Sequence, residues 1–351
     1  MMTFSIVIPA HNGAEYLLSA IDSAMRQTRP ADEILVIDDA SLDSTAEIAK
    51  ASRWVGRVTY CLNEKSTGFA DAWNRSAVKA RGEYVTILHQ DDLLDEDYLY
   101  HVERGLLLYP QARHIYTGCR YIDQAGNIMK TTPPPHSLEP VSISGKAYAK
   151  RYIQGVFSNQ HTHRCPGVST AKTLLTQDCA YRKEAGLIAD DDFFLRVGKH
   201  TDVVGISHPL ASFRQHSRSA TSTLDSLTLQ LSRDYVLQAE YYAAGSEVLD
   251  DDDIDKLTSL AVKYINLLFY QGTLQRNESW AEEALKLRDT LESIKPGAMR
   301  RHVRIWGKPL WRLNSWMGST GPLVRTYSCL VNLLVLIKTM LTVRKNLSWE
   351  K

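Results

Sequence analysis

Glu33-Ile-Leu-Val-Ile-Asp-Asp39 decides the fold: an apolar, largely β-branched run that ends in two carboxylates. Such a run reads as a buried strand with polar residues at its carboxyl end. Working outward, Phe4-Ser-Ile-Val-Ile8 is a second run of the same kind, stopped by Pro9. Between them Leu17, Leu18, Ile21, Ala24 and Met25 fall on one helical face. Downstream, Ser44 and Glu47 have the spacing of a capping box opening a helix. Residues 58–62 read as a strand and 69–81 as a helix ended by Gly82. A fourth strand, 84–88, runs through His89-Gln90 into Asp91-Asp92. Strand and helix alternate throughout. That predicts an α/β fold, Rossmann-like, with a mostly parallel sheet and helices on both faces.

Ligands of open α/β sheets bind beyond the carboxyl ends of the strands. The pairs Asp38-Asp39 and Asp91-Asp92 stand there, and two acidic pairs side by side repel unless a cation lies between them. A divalent metal carrying a diphosphate meets that need. Each pair taken alone also fits a helix cap; the pairing of two strand ends favours a ligand. An acidic run, Asp190-Asp191-Asp192, precedes Phe193-Phe194-Leu195-Arg196 and reads as a helix start. Its carboxylates either oppose the helix dipole or supply a general base.

The chain has 351 residues, 44% of them hydrophobic and 23% charged, with a formal net charge of +1. These values are those of an ordinary globular protein, and no global field points to nucleic acid. The charge is unevenly spread: residues 296–351 hold ten Lys/Arg against Glu350 alone. Five scattered cysteines without a Cys-x-x-Cys pair suit a reduced, cytoplasmic protein. Met1-Met2-Thr3-Phe4 leads straight into a strand, so no secretory leader is expected. Beyond residue 110 the pattern loosens: 115–122 and 203–207 read as strands, and from about 225 the chain reads as helical. Boundaries near 120 and 222 give three segments. They are two halves of one domain (1–120 and 121–222) and a helical extension (223–351).

The chain resembles the inverting family 2 glycosyltransferases, which have the A-type nucleotide-diphospho-sugar transferase fold. The stretches that carry the resemblance are Ser5-Ile-Val-Ile-Pro-Ala-His-Asn12, Ile37-Asp-Asp-Ala-Ser-Leu-Asp-Ser-Thr45, residues 68–74, Ala80-Arg-Gly-Glu-Tyr84 and Leu88-His-Gln-Asp-Asp92. It is strong over residues 3–110, weak over 110–220, and leaves the last 130 or so unaccounted for. It implies that 1–120 is the nucleotide-sugar half and 121–222 the acceptor half of one catalytic domain. By position it implies that Asp39 holds the nucleoside base, with Pro9 and His11 in the same pocket. It makes Asp91 the ligand of a divalent metal, Mn or Mg, and places Asp92 beside the bound nucleotide. Asp190 matches the general base, and Arg214 and His216 belong to a segment that approaches the diphosphate. Three positions depart from the family pattern. His89 replaces the first aspartate of Asp-x-Asp, His11 replaces a tyrosine, and Ala189 replaces the glutamate before the base. The last leaves Asp191 and Asp192 as alternative bases.

The implied activity is non-processive transfer of one sugar, because the Gln-x-x-Arg-Trp motif of processive synthases is absent. The implied donor is a nucleotide-diphosphate sugar, a UDP-sugar by preference, and the acceptor a glycan or lipid-linked glycan. A catalytically silent, nucleotide- or glycan-binding homologue is the alternative that His89 and Ala189 suggest. A nicotinamide dehydrogenase is excluded, since no Gly-x-Gly occurs. His161-Thr-His-Arg-Cys165 has too few ligands for structural zinc and is expected to be an acceptor-site loop. Asp250 to Asp253 reads as a helix N-terminus. The basic tail, with Trp306, Trp311, Trp316 and an interrupted apolar stretch at 323–343, fits either a membrane surface or a second subunit.

Overall fold

The computed structural model describes residues 2–298 apart from 67, 133–135, 220–226 and 276. The basic tail expected to meet a membrane or a partner therefore lies almost entirely outside the described residues. No described helix is long and apolar enough to cross a membrane.

In the N-terminal part β1 (Phe4–Ala10), β2 (Glu33–Asp39), β3 (Thr59–Asn63) and β4 (Tyr84–Ile87) alternate with α1 (Leu17–Met25), α2 (Thr45–Ala49) and α3 (Phe69–Lys79). All neighbouring pairs among these strands are parallel, with β1 between β2 and β4. The next elements are β5 (Leu93–Leu94), α4 (Tyr98–Leu108), β6 (His114–Ile122), β7 (Ile128–Thr131) and β8 (Val141–Ile143). They are followed by α5 (Gly145–Ser158), β9 (Val168–Ala171), α6 (Ala189–Val197) and β10 (Val203–Arg214). The strands form one sheet in the order β3-β2-β1-β4-β9-β6-β10-β5, with β7 on β6 and β8 on β10. β9 runs antiparallel to both β4 and β6. Past β4 the sheet is thus mixed, and β6 and β10 return to the direction of β4.

The period-two alternation of β1 sorts its side chains. Phe4, Ile6 and Ile8 join Leu17, Ala20 and Ile21 of α1 and Tyr98, Leu99, Val102 and Leu106 of α4 in one buried cluster. Val7, Leu35 and Ile37 are equally buried but outside that cluster, while α3 packs on β1, β2 and β4. Helices therefore cover both faces, as expected.

Some local expectations are corrected. The capping box at Ser44 is not formed; Asp43 accepts from the Thr45 N–H (3.0 Å) and its hydroxyl (2.5 Å) instead. An aspartate two residues back closes the turn before Glu47 can reach round. The strand expected at 203–207 runs on to Arg214, because Pro209 sits in a bulge where the ladder needs no N–H from it.

The helical region contains α7 (Leu227–Ala243), α8 (Asp251–Leu274) and α9 (Glu278–Ile294). Asp250 accepts the Asp253 N–H at 3.0 Å, so the acidic run opens α8 as expected. The chain divides into two compact units, Met1–Ala261 and one that begins at Val262. In the second, Gly272 lets α8 come close to the start of α9, where a Cβ would meet the Ala281 nitrogen at 2.7 Å. Asn277 caps α9 by accepting the Trp280 N–H.

Candidate active site

Parallel pairing sets the C-terminal ends of β1, β2 and β4 side by side, and the chain reverses sharply at two of them. Asn12 (φ 49°) and Ala40 (φ 62°) take left-handed conformations uncommon for residues other than glycine. The turns interlock. Asn12 accepts from the Leu42 N–H (2.8 Å), and Ser41 accepts from the Asn12 N–H (2.9 Å). Gln90 grips the His11 backbone, accepting from its N–H at 2.8 Å and donating to its carbonyl at 3.2 Å. His11 Nδ1 lies 2.8 Å from the Asp39 carbonyl, which can only accept, so Nδ1 carries the proton. Nε2 then accepts from the Asn12 amide.

The two aspartates of β2 have separate tasks. Asp38 points into the turn, where it accepts from the Ser41 N–H (2.9 Å) and the Tyr60 hydroxyl (2.7 Å). Asp39 accepts from Asn63 (3.1 Å) and Ser66 (2.7 Å), which orient a carboxylate at the strand end. Pro9 pairs with Ile37 and is partly exposed there. Pro9, His11 and Asp39 are thus brought together.

Asp91, Asp92, Arg214 and His216 form a second group. Asp92 is fully buried; one oxygen accepts the Arg214 N–H at 2.8 Å and the other has no hydrogen-bond partner. Burial, then the charge of Asp91, push its carboxyl well above the usual range. Arg214 donates from Nε to the Asp91 carbonyl (2.8 Å) and stacks on Tyr16 at 4.8 Å. His216 Nε2 lies 3.0 Å from an Asp91 carboxylate oxygen. His89 completes the group: its ring lies on Trp73 (5.2 Å, 15°), and Nδ1 is 3.6 Å from Asp92. Burial lowers the pKa of His89 despite the nearby Asp91. His89, Asp91 and Asp92 each direct one donor atom into a space 4.8 Å or less across. Two carboxylates and an imidazole, with the buried Asp92 Oδ2 unpartnered, fit a divalent cation.

The three α6 carboxylates part company. Asp192 is fully buried and receives Arg182 at both oxygens and Arg196 at one. Asp191, 8% exposed, accepts the Tyr152 hydroxyl at 2.6 Å. Its carboxyl is pushed up to about 7 by burial and by the charge of Asp190. Asp190 is half-buried and takes the Asp191 N–H at 2.9 Å. Burial raises its pKa and Arg164 opposes the rise. Asp192 is thus committed to two guanidinium groups, and Asp191 to a tyrosine, which leaves Asp190 the most accessible of the three.

Arg164 escaped the sequence reading. It donates to the Tyr121 hydroxyl at 3.2 Å, and its charge acts on Asp92, Asp190 and Asp191 alike. It ties the β4 end to the start of α6. In the sequence its loop stands out only for His161, His163 and Cys165. Both histidines are buried with pKa values lowered, His161 to about 3, chiefly by burial, and His163 Nε2 lies 2.9 Å from the Tyr148 hydroxyl among the rings of Tyr116 and Phe194.

Residues 5–136 match the family described as glycosyl transferase family 2. Over 241 residues the chain is 33% identical to the amylovoran biosynthesis glycosyltransferase AmsB of Erwinia amylovora, covering 62% of this chain and 71% of that protein. It is 35% identical over 94 residues to glycosyltransferase GlyG of Streptococcus pneumoniae, covering 26% of this chain. That match spans 31% of GlyG, and one to a glycosyltransferase of Rickettsia typhi spans 44% of the relative. The crystal structure of S. aureus TarS with UDP-GlcNAc superposes with a TM-score of 0.63 at 15% identity, over 85% of this chain and 83% of that one. The likeness to TarS shows a shared fold. With the match to AmsB, the chain belongs to the family 2 glycosyltransferases.

Proposed function

We propose that this glycosyltransferase moves one sugar, with inversion, from a nucleoside diphosphate sugar to a hydroxyl of a glycan or lipid-linked glycan, and that it needs a divalent metal. What carries the reading is the meeting of three features at one sheet edge: the oriented Asp39, the His89–Asp91–Asp92 group and the half-buried Asp190. A carboxylate is acceptor-only, so Asp39 takes the N3–H of uracil or thymine or the N1–H of guanine, and a UDP-sugar is the preferred donor. TarS, which shares the fold, was crystallised with UDP-GlcNAc. Asp91 would hold a Mn or Mg ion, whose charge stabilises the departing diphosphate. Arg214 and His216 hold Asp91 in place from its carbonyl and its carboxylate. Asp190 removes the proton from the acceptor hydroxyl as that oxygen attacks the anomeric carbon in line, and the nucleoside diphosphate leaves from the opposite face.

Asp190→Asn tests the assignment. Only the transition state gains from proton removal, so kcat falls by ~10² to 10⁴ while UDP affinity stays within about twofold. If Asp191→Asn or Asp192→Asn shows that pattern and Asp190→Asn does not, the base is misassigned.

A further inference from the structure

We propose that His89 is a nitrogen ligand of the divalent ion, and that it makes the site prefer ions that accept nitrogen, such as Mn²⁺, over Mg²⁺. The inference rests on the metal-dependent reading above and adds the identity of a ligand and a metal preference.

Three observations converge on His89. Its Nδ1 is 3.6 Å from Asp92 Oδ2. That is too long for a hydrogen bond, and close to the ~3.0–3.5 Å between two donors that each lie ~2.1 Å from one ion. Second, Asp92 is 0% exposed and its Oδ2, the atom that faces His89 Nδ1, has no hydrogen-bond partner. Buried polar atoms are rarely left this way unless an ion or water completes them. Third, Trp73 stacks on the imidazole at 5.2 Å and 15°, which fixes the ring plane beside the two carboxylates.

His216 has a different place. Its Nε2 is engaged by Asp91 Oδ2 at 3.0 Å, so it orients a ligand carboxylate from behind. Among the described residues, the other acidic group that lies close enough to hold an ion, Asp250, Asp252 and Asp253, already receives the ammonium groups of Lys150 and Lys256. His89 therefore gives the strand-end site its nitrogen. Mg²⁺ binds almost wholly through oxygen and water in near-octahedral geometry, whereas imidazole suits first-row transition ions.

The test is pulsed electron paramagnetic resonance of Mn²⁺ bound to the full chain with UDP, joined to Mg²⁺ competition. The wild type is expected to show ¹⁴N coupling from a directly bound imidazole. His216→Ala keeps the coupling, while His89→Asp and His89→Gln lose it. In His89→Asp, Mg²⁺ is expected to displace Mn²⁺ at roughly tenfold lower concentration. Circular dichroism confirms that each variant is folded. Mn²⁺ bound to the wild type without ¹⁴N coupling, or with coupling that survives in both His89 variants, overturns the proposal while leaving metal dependence standing. Failure of the wild type with UDP to bind Mn²⁺ at all overturns the metal-dependent reading and this proposal with it.

Discussion

Asp190, Asp191 and Asp192 are consecutive and chemically identical, yet their surroundings differ sharply. Asp191 belongs to the group whose folded state favours the protonated form, since its carboxyl is raised from 3.8 to about 7 by burial and by Asp190. The native state then holds more protons than the unfolded chain between those values. Stability from this group is therefore present at low pH and is lost as pH rises from about 4 to 7. Asp191→Asn should remove the penalty and keep the acceptor that Tyr152 needs. At about 1.4 kcal/mol per unit, the variant gains on the order of 4 kcal/mol relative to wild type at pH 8, and little at pH 4. Thermal unfolding across that range checks it: the Tm difference should grow by several degrees with pH. A constant difference, or a variant less stable at pH 8, contradicts the assignment. In the sequence the three residues read alike, because the partners that separate them, Tyr152, Arg182 and Arg196, depend on tertiary packing. His89 was legible only as a departure. Its meaning comes from Trp73 and Asp92, which the fold sets beside it.

At the scale of elements, α6 is positioned by a turn braced from α7. Gly186 has φ 58°, and Asp234 of α7 accepts the Leu187 N–H at 2.8 Å. A Cβ on Gly186 would lie 2.4 Å from the Asp234 carboxylate, and the local backbone conformation is itself unfavourable for alanine. Gly186→Ala should therefore cost about 1–3 kcal/mol and displace the first turn of α6. The expected result is a lower Tm with kcat reduced more than donor affinity, because Asp190 moves while the β4 end does not. Unchanged kcat in a folded variant would show that this turn does not set the base. Strands β1, β2 and β4 were legible because buried parallel strands are continuous apolar runs. β9 was not, since Val168-Ser-Thr-Ala171 is short and half polar, and it is a strand because β4 and β6 flank it. α5 was missed as well; Ser144 caps it and the left-handed Asn159 ends it, with Tyr148, Tyr152 and Ile153 on its buried side.

Across the molecule, the β4–β9–β6 pairing joins the parallel nucleotide-side strands to the segment that carries Arg164 and α6. Metal-competent carboxylates and the candidate base thereby share one cation and one sheet edge. The account stands on that edge binding a nucleoside diphosphate through a metal held by Asp91. Calorimetric titration of UDP into the wild type and Asp91→Ala, each with Mn²⁺ or with a chelator, tests it most directly. The account predicts binding by the wild type that weakens by at least tenfold, about 1.4 kcal/mol, when the metal is removed. It also predicts weak binding by a folded Asp91→Ala that no longer responds to the metal. Equal affinity and equal metal response in the two proteins would contradict it.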